Sequence, residues 1–162
     1  MKSQLKYIQK HEARTIDTVV VVGAGSGGQL ASYRALKPRR LLALEPNPDL
    51  FRELNQRLNA SKGEVGIAKA VGQAPGTQDL YVTNNPKFSA LLPPGKLLEE
   101  YPNLQVVRVE PVETVSFETL LSNCELDPQA VNLLILESPG VLGDVLVQGA
   151  GFQPALFDWL LL

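Results

Sequence analysis

Short apolar runs alternate along the chain with stretches whose apolar residues recur every three or four positions. Residues 18–22 (TVVVV) form an unbroken β-branched run, which suits a strand buried on both faces of a parallel sheet. Residues 40–44 and 131–136 (VNLLIL) have the same character, and 64–71 make a third strand in chain order. Shorter strands are expected at 79–83 and 105–109. Between these runs the spacing turns helical. Leu5 and Ile8 mark a short helix over 3–13, and Leu30, Tyr33 and Leu36 mark one over 29–36 that Pro38 ends. Leu50, Phe51, Leu54 and Leu58 form a helical stripe whose start is signalled by Asn47 as cap, Pro48 in the first turn and Asp49 at the positive end. Further helices are expected over 116–121 and 140–148.

Alternating strands and helices predict an α/β, Rossmann-like fold, with a mostly parallel sheet and flanking helices. Right-handed crossovers would set the ends of the first two strands side by side at one edge of the sheet. Residues 73–76 read as a turn. Residues 84–104 hold Pro86, Pro93, Pro94 and Pro102, a long excursion of the kind that shapes binding sites. The chain shows no repeat and no low-complexity tract.

Composition narrows the classes. The 162 residues fit one domain, with a short N-terminal helix, a sheet core over 16–150 and an end segment over 151–162. With 44% hydrophobic and 20% charged residues, the chain has enough apolar material for a core. A net charge of -2 gives no reason to expect nucleic acid or an anionic membrane as partner. Charge is unevenly spread: residues 1–40 carry eight Lys or Arg against Glu12 and Asp17, while after Leu98 only Arg108 faces ten acids. Two solvated faces account for this, and a head-to-tail contact between basic and acidic ends is the sharper alternative. The single Cys124 excludes an intramolecular disulfide. The start MKSQLKYIQKHEAR lacks the apolar core of a secretory signal, and no run approaches the ~20 residues of a membrane helix. A soluble, cytoplasmic protein is expected.

The segment with chemistry is Gly23-Ala24-Gly25-Ser26-Gly27-Gly28. It follows a strand and opens a helix, the context in which a G-x-G-x-x-G pattern carries meaning. Small residues allow a tight turn and close approach of backbone to a ligand, and N–H groups at a helix start are free to bind. Glu45 ends the next strand, where a carboxylate can accept the ribose hydroxyls of an adenosyl ligand. Dinucleotide enzymes and adenosylmethionine enzymes share this arrangement, and the pattern alone does not separate them.

Residues 41–58, LLALEPNPDLFRELNQRL, resemble the FkbM methyltransferase family, whose second strand typically ends in Glu-Pro-Asn-Pro before a helix. VGQAPGTQDLYV (71–82), VETVSFETLL (112–121) and VNLLILESPGVLGDVLVQGA (131–150) resemble later segments of the same family more loosely. The resemblance spans most of 16–150. It implies S-adenosylmethionine as donor and transfer to a hydroxyl, often of a sugar or polyketide-like molecule. It places Gly23, Gly25 and Gly27, with Ala24 and Gly28 in the same loop, along the methionine part of the donor. It places Glu45 at the ribose, Pro46 and Asn47 beside the adenosine, and Ala70 and Val71 near the adenine.

The chain departs from the family after its fourth strand, where Lys-x-Asp-x-Glu/Gln-Gly is usual. Here the segment is Ile135-Leu136-Glu137-Ser138-Pro139-Gly140, without the lysine and with Glu137 for the aspartate. Glu137 is the candidate base for an acceptor hydroxyl; a solvated strand-end carboxylate is the simpler alternative. A seven-stranded methyltransferase sheet needs three more strands after this point, and 151–162 supply enough residues for one. The expectation is a C-terminally incomplete methyltransferase fold, with activity of this chain alone in question. Trp159-Leu160-Leu161-Leu162 would then form a strand, be buried against another copy, or be the cut end of a longer protein, and a homo-oligomer through the sheet edge or this segment is one candidate assembly. An NAD-binding oxidoreductase fragment is the alternative on the same fold. A degenerate, non-catalytic domain retained for assembly is the alternative outside enzymes.

Other constellations are weaker. Ser26 sits where a hydrolase nucleophile would, but the only histidine, His11, lies upstream of it and reads as an exposed helix residue. One His and one Cys provide no zinc set.

Overall fold

The computed structural model describes residues 1–138 and 154–162. Its main sheet has five parallel strands in the order β3-β2-β1-β7-β8: β1 Ile16–Val22, β2 Arg40–Leu44, β3 Glu64–Ile67, β7 Val131–Leu136 and β8 Trp159–Leu161. The first two strands do lie side by side, paired from Thr18–Arg40 to Val22–Leu44. Yet β1 is central and β3 is the edge, because β7 pairs with the other side of β1. The chain therefore leaves β1 in one direction and returns on its far side, which opens a crevice at the carboxyl ends of β1, β2 and β7.

The period of two along these strands divides the core. Val19, Val21, Leu41, Ala43, Leu133 and Ile135 face one side, where Leu5 and Ile8 of α1 (Lys2–His11), Leu30 and Tyr33 of α2 (Leu30–Arg34) and Leu54 of α3 (Pro48–Arg57) cover them. Val20, Val22, Leu42, Leu44, Leu134 and Leu136 face the other side, covered by Phe117, Leu120 and Leu121 of α5 (Phe117–Cys124). Strands buried on both faces need the continuous apolar runs seen in the sequence. The expected cap on α3 is present: the Asn47 side chain accepts from the N–H groups of Asp49 and Leu50 at 3.0 and 3.3 Å.

A second, three-stranded sheet, β4-β6-β5, is inserted after β3. It corrects the expected strand over 64–71, which is two strands in two sheets. β3 stops at Ile67, the chain turns through Ala68 and Lys69, and β4 (Ala70–Gly72) pairs with the far end of β6. An apolar run shows that residues are extended but not which neighbours they pair with. The expected strands over 79–83 and 105–109 are likewise longer. β5 (Gly76–Thr83) and β6 (Val106–Ser116) form one antiparallel pair. Pro111, which masked the second half of β6 in the sequence, is tolerated because β4 pairs only with Thr114, Val115 and Ser116. Along 106–113 β6 is bordered by β5 alone among the described residues, and a proline fits such a strand.

Residues 84–104 join β5 to β6 and fold back on the pair. Tyr81 bridges to Ala90, Asn84 ties to Asn103 and Gln105, and Phe88 packs on Tyr101 with ring centroids 5.0 Å apart. The short helix α4 (Leu97–Glu100) lies within this segment.

Half of the C-terminal apolar segment is used inside the chain. Leu161 is buried in the core, and Trp159 packs against it while its Nε1 donates to Glu12 at 3.1 Å. Leu160 and Leu162 stay exposed. The helix expected over 140–148 lies outside the described residues. Among the described residues no helix is long and apolar enough to cross a membrane.

Candidate ligand site

The glycine segment leaves the end of β1 and folds over the end of β2, where the N–H groups of Gly23 and Ala24 both donate to the Leu44 carbonyl at 3.0 and 2.8 Å. Three of its glycines, Gly23, Gly25 and Gly27, have the left-handed backbone that favours glycine. At Gly23, φ is +86° and an added Cβ would stand 2.9 Å from the Ser138 backbone nitrogen. At Gly25, φ is +56° and the Cβ direction points into open space. At Gly27, φ is +83° and packing adds to the constraint, since its Cβ direction meets Leu30 and Leu54 of the core at 2.8 and 3.1 Å.

Glu45 follows β2 and is 6% exposed. Its Oε2 accepts from the N–H of Gly25 at 2.8 Å, and its Oε1 accepts from the N–H of Asn47 at 2.9 Å. Burial pushes this carboxyl above the usual carboxylate range, and the Asn47 and Gly25 N–H groups pull it partly back. The carboxylate thus fixes the glycine loop to the start of α3. Each carboxylate oxygen offers about two acceptor positions, so one on each remains unfilled by these bonds.

These groups open onto a cavity of about 1030 Å³. Gly23, Ala24, Gly25, Gly28, Glu45, Pro46, Ala70, Val71 and Glu137 line it together, although they come from four separate stretches of sequence. Of the residues expected at the site, Gly27 and Asn47 stand behind the wall, the first in the core and the second as the α3 cap.

Glu137 leaves the end of β7, its N–H donating to the Val22 carbonyl at 2.8 Å. Its carboxyl is half-buried, and burial raises it above the usual range. The Tyr33 hydroxyl, the amino group of Met1 and Lys87 act in the opposite sense, in that order. Tyr33 is 1% exposed, and its hydroxyl lies beside Glu137 without completing a hydrogen bond. Burial, then the Glu137 charge, drives the Tyr33 phenol above its ordinary value. The Gln29 Oε1, four residues earlier, is also buried and unpartnered, and Gln29 lines the cavity.

Sequence reasoning missed the opposite wall. Leu80 of β5 and Pro86, Lys87, Ser89, Ala90, Leu91 and Leu92 of the 84–104 excursion close the cavity over the glycine loop, with Lys69 and Leu50 at its side. The proline-rich composition signalled a binding loop, but only the β5–β6 pairing shows where that loop lies. Ser26 also lines the cavity, whereas His11 is exposed and packs on Tyr7 with ring centroids 4.2 Å apart. No group of three or more metal-ligating side chains comes together among the described residues. No family model, curated protein or solved structure matches the chain.

Proposed function

We propose that this chain binds S-adenosylmethionine at the carboxyl ends of β1 and β2 and transfers its methyl group to a hydroxyl of a sugar or similar small molecule. The observation that carries this function is the Glu45 carboxylate. It ends the strand beside the glycine loop, holds that loop through Gly25, borders the cavity and keeps one acceptor position on each oxygen. Two adjacent ribose hydroxyls match two such positions. The Glu-Pro-Asn-Pro segment at 45–48 and the resemblance to FkbM methyltransferases support the same donor.

The surrounding residues fit an adenosyl ligand. Gly25 and Gly28 leave open space where a side chain would stand, so the loop forms a floor for the amino-acid part of the donor. Ala70, Val71 and Leu80 supply an apolar wall for a purine. The unpartnered Gln29 Oε1 is an acceptor available to an ammonium group.

When bound, adenosylmethionine supplies a methyl carbon on a cationic sulfur, which an acceptor oxygen takes as the carbon–sulfur bond breaks and its electron pair stays on sulfur. The chain's own task is to hold the acceptor and receive its proton. Glu137 receives that proton at a carboxylate oxygen, and its raised pKa brings it nearer the operating pH, as a general base requires.

An NAD-binding role is less well supported. A pyrophosphate draws on the aligned amides and dipole of a full helix, and α2 spans only Leu30–Arg34.

Thermal unfolding with adenosylmethionine, adenosylhomocysteine or NAD tests the proposal. A ligand at 100 times its dissociation constant stabilises the native state by about 2.7 kcal/mol, a midpoint rise on the order of 5–10 °C for a chain of this size. A rise with the adenosyl-sulfur compounds is expected. A rise with NAD alone would replace the donor, and no rise with any of the three would remove the ligand site.

A further inference from the structure

Leu92 is the most exposed large apolar side chain among the described residues, at 66%, and it also lines the cavity. Together these facts set it at the mouth, in contact with the cavity and mostly in water. An exposed leucine is ordinary on a protein surface. One at a cavity mouth differs, because the compound inside offers it a cover. Its neighbour Leu91 is already held: it packs on the cluster of Ala70, Leu80, Val82 and Val112.

The stretch that carries Leu92 is pinned at both ends. Upstream, Tyr81 and Ala90 exchange two backbone hydrogen bonds of 2.9 and 3.3 Å. Downstream, the N–H groups of Leu97 and Leu98 donate to the Pro94 and Gly95 carbonyls at 2.9 and 3.1 Å, and Phe88 packs on Tyr101. Between these anchors, Leu91, Leu92 and Pro93 take part in no hydrogen bond among the described residues. Pro93 and Pro94 have no N–H and a fixed φ, which stiffens the piece they form with Leu92. Gly95 follows at a φ of +47°, with the backbone freedom that the prolines lack. The result is a short stiff arm with a glycine at its base, whose tip breaks no hydrogen bond when it moves.

We infer that residues 92–94 are a lid: when the cavity fills, the arm swings inward and carries Leu92 from solvent onto the bound compound. This rests on the adenosyl ligand site proposed above and adds how that site is closed. Closure serves methyl transfer to a hydroxyl in a direct way. Water is itself a hydroxyl that competes for the methyl group, and a lid that shuts over the reactants excludes it.

Energy transfer from Trp159, the only tryptophan, to a dansyl group on Leu92→Cys reads the movement, with the same group on Leu98→Cys as control. Leu98 is exposed on α4 and does not line the cavity, and Cys124 is buried, so the introduced thiol takes the label. Saturating adenosylhomocysteine should change the transfer at residue 92 and leave that at residue 98 unaltered. In calorimetry, Leu92→Ser should weaken adenosylhomocysteine on the order of tenfold, the scale of covering most of one leucine side chain. Leu98→Ser should stay within about twofold, as surface changes do. Both leucines are exposed, so the variants should fold, and their unfolding midpoints check this. Unaltered transfer at residue 92 with ligand bound, or Leu92→Ser binding within about twofold of the unaltered chain, would each overturn the lid while leaving the donor site standing. If the unaltered chain binds NAD alone, the same readings made with NAD decide the lid. If it binds neither compound, the ligand site falls and the lid with it.

Discussion

The N–H of Gly25 donates to Glu45 Oε2 at 2.8 Å, joining the loop after β1 to the end of β2. One carboxylate thus shapes the loop and borders the cavity, so its replacement should affect both stability and ligand binding. Glu45→Gln keeps the shape but offers an amide N–H₂ to one of two backbone donors, leaving that donor unpaired. A bond to a charged acceptor is worth about 1.5–3 kcal/mol. Adenosylhomocysteine affinity should therefore fall on the order of tenfold to a hundredfold in calorimetry. Unchanged affinity in a folded Glu45→Gln protein would exclude this carboxylate from the ligand site.

Neighbouring glycines should respond in opposite ways. Gly27→Ala places a Cβ 2.8 Å from Leu30 and 3.1 Å from Leu54 at a φ of +83°. Left-handed backbone costs an alanine roughly 1–2 kcal/mol, and overpacking adds about 1–3 kcal/mol. The unfolding midpoint should fall by roughly 5–15 °C. Gly28→Ala meets nothing within 4 Å, and its stability should stay within about 0.5 kcal/mol. Equal midpoints for the two variants would mean that the loop is not packed on the core at Gly27.

The sequence made the scaffold of this site legible because the scaffold is local. The β-branched run at 18–22, the glycines after it and the Asn47 cap each act through near neighbours, and each is found where its pattern indicated. Glu45 was legible because a carboxylate at the end of a second strand has a fixed relation to the loop after the first. The far wall was not legible. Whether Leu80, Lys87 and Leu91 reach the cavity depends on β5 pairing with β6 across more than twenty residues, and no local period encodes that partner. Tyr33 was read as one apolar residue of a helical stripe. Its hydroxyl gained meaning only when α2 packed beneath the end of β7. The split between β3 and β4 was hidden for the same reason, since Ala68 and Lys69 interrupt an otherwise uniform run by only two residues.

The contact between Glu12 and Trp159 should give an acid-sensitive signal. Glu12 accepts from Arg14 at 2.9 Å and from Trp159 Nε1 at 3.1 Å. The Arg14 side chain, then its backbone N–H, then Trp159 hold the Glu12 carboxyl down to about 2 from 4.5. Between those values the unfolded chain binds more protons than the native one, so stability rises with pH across that window. The contribution is fully present above 4.5 and is lost as pH falls toward about 2. Trp159 is the only tryptophan, so its fluorescence reports the event directly. Glu12→Gln should flatten the fluorescence change over this range, and an unchanged acid profile would dissociate Glu12 from Trp159.

Tyr33 and Glu137 make the sharpest test of proton handling at the cavity. Burial raises the Glu137 carboxyl, and the Tyr33 hydroxyl is the largest influence restraining that rise. Tyr33→Phe removes this restraint, so the Glu137 midpoint should move further upward in a carbon-13 titration of the labelled carboxyl. Stability should respond with a definite sign. A carboxyl with a raised native pKa holds its proton longer in the native state, so stability falls as pH rises from the ordinary carboxylate value through the raised one. Tyr33→Phe should extend that fall to higher pH. At low pH the same variant should cost little, because the hydroxyl is buried without a complete hydrogen bond and its loss leaves no new unpaired group on the tyrosine side. In a transfer assay the rise of rate with pH should follow the Glu137 midpoint in both proteins, and Glu137→Gln should lower the rate by about 10²–10⁴. A rate profile that ignores the shift caused by Tyr33→Phe would assign the proton to a different acceptor.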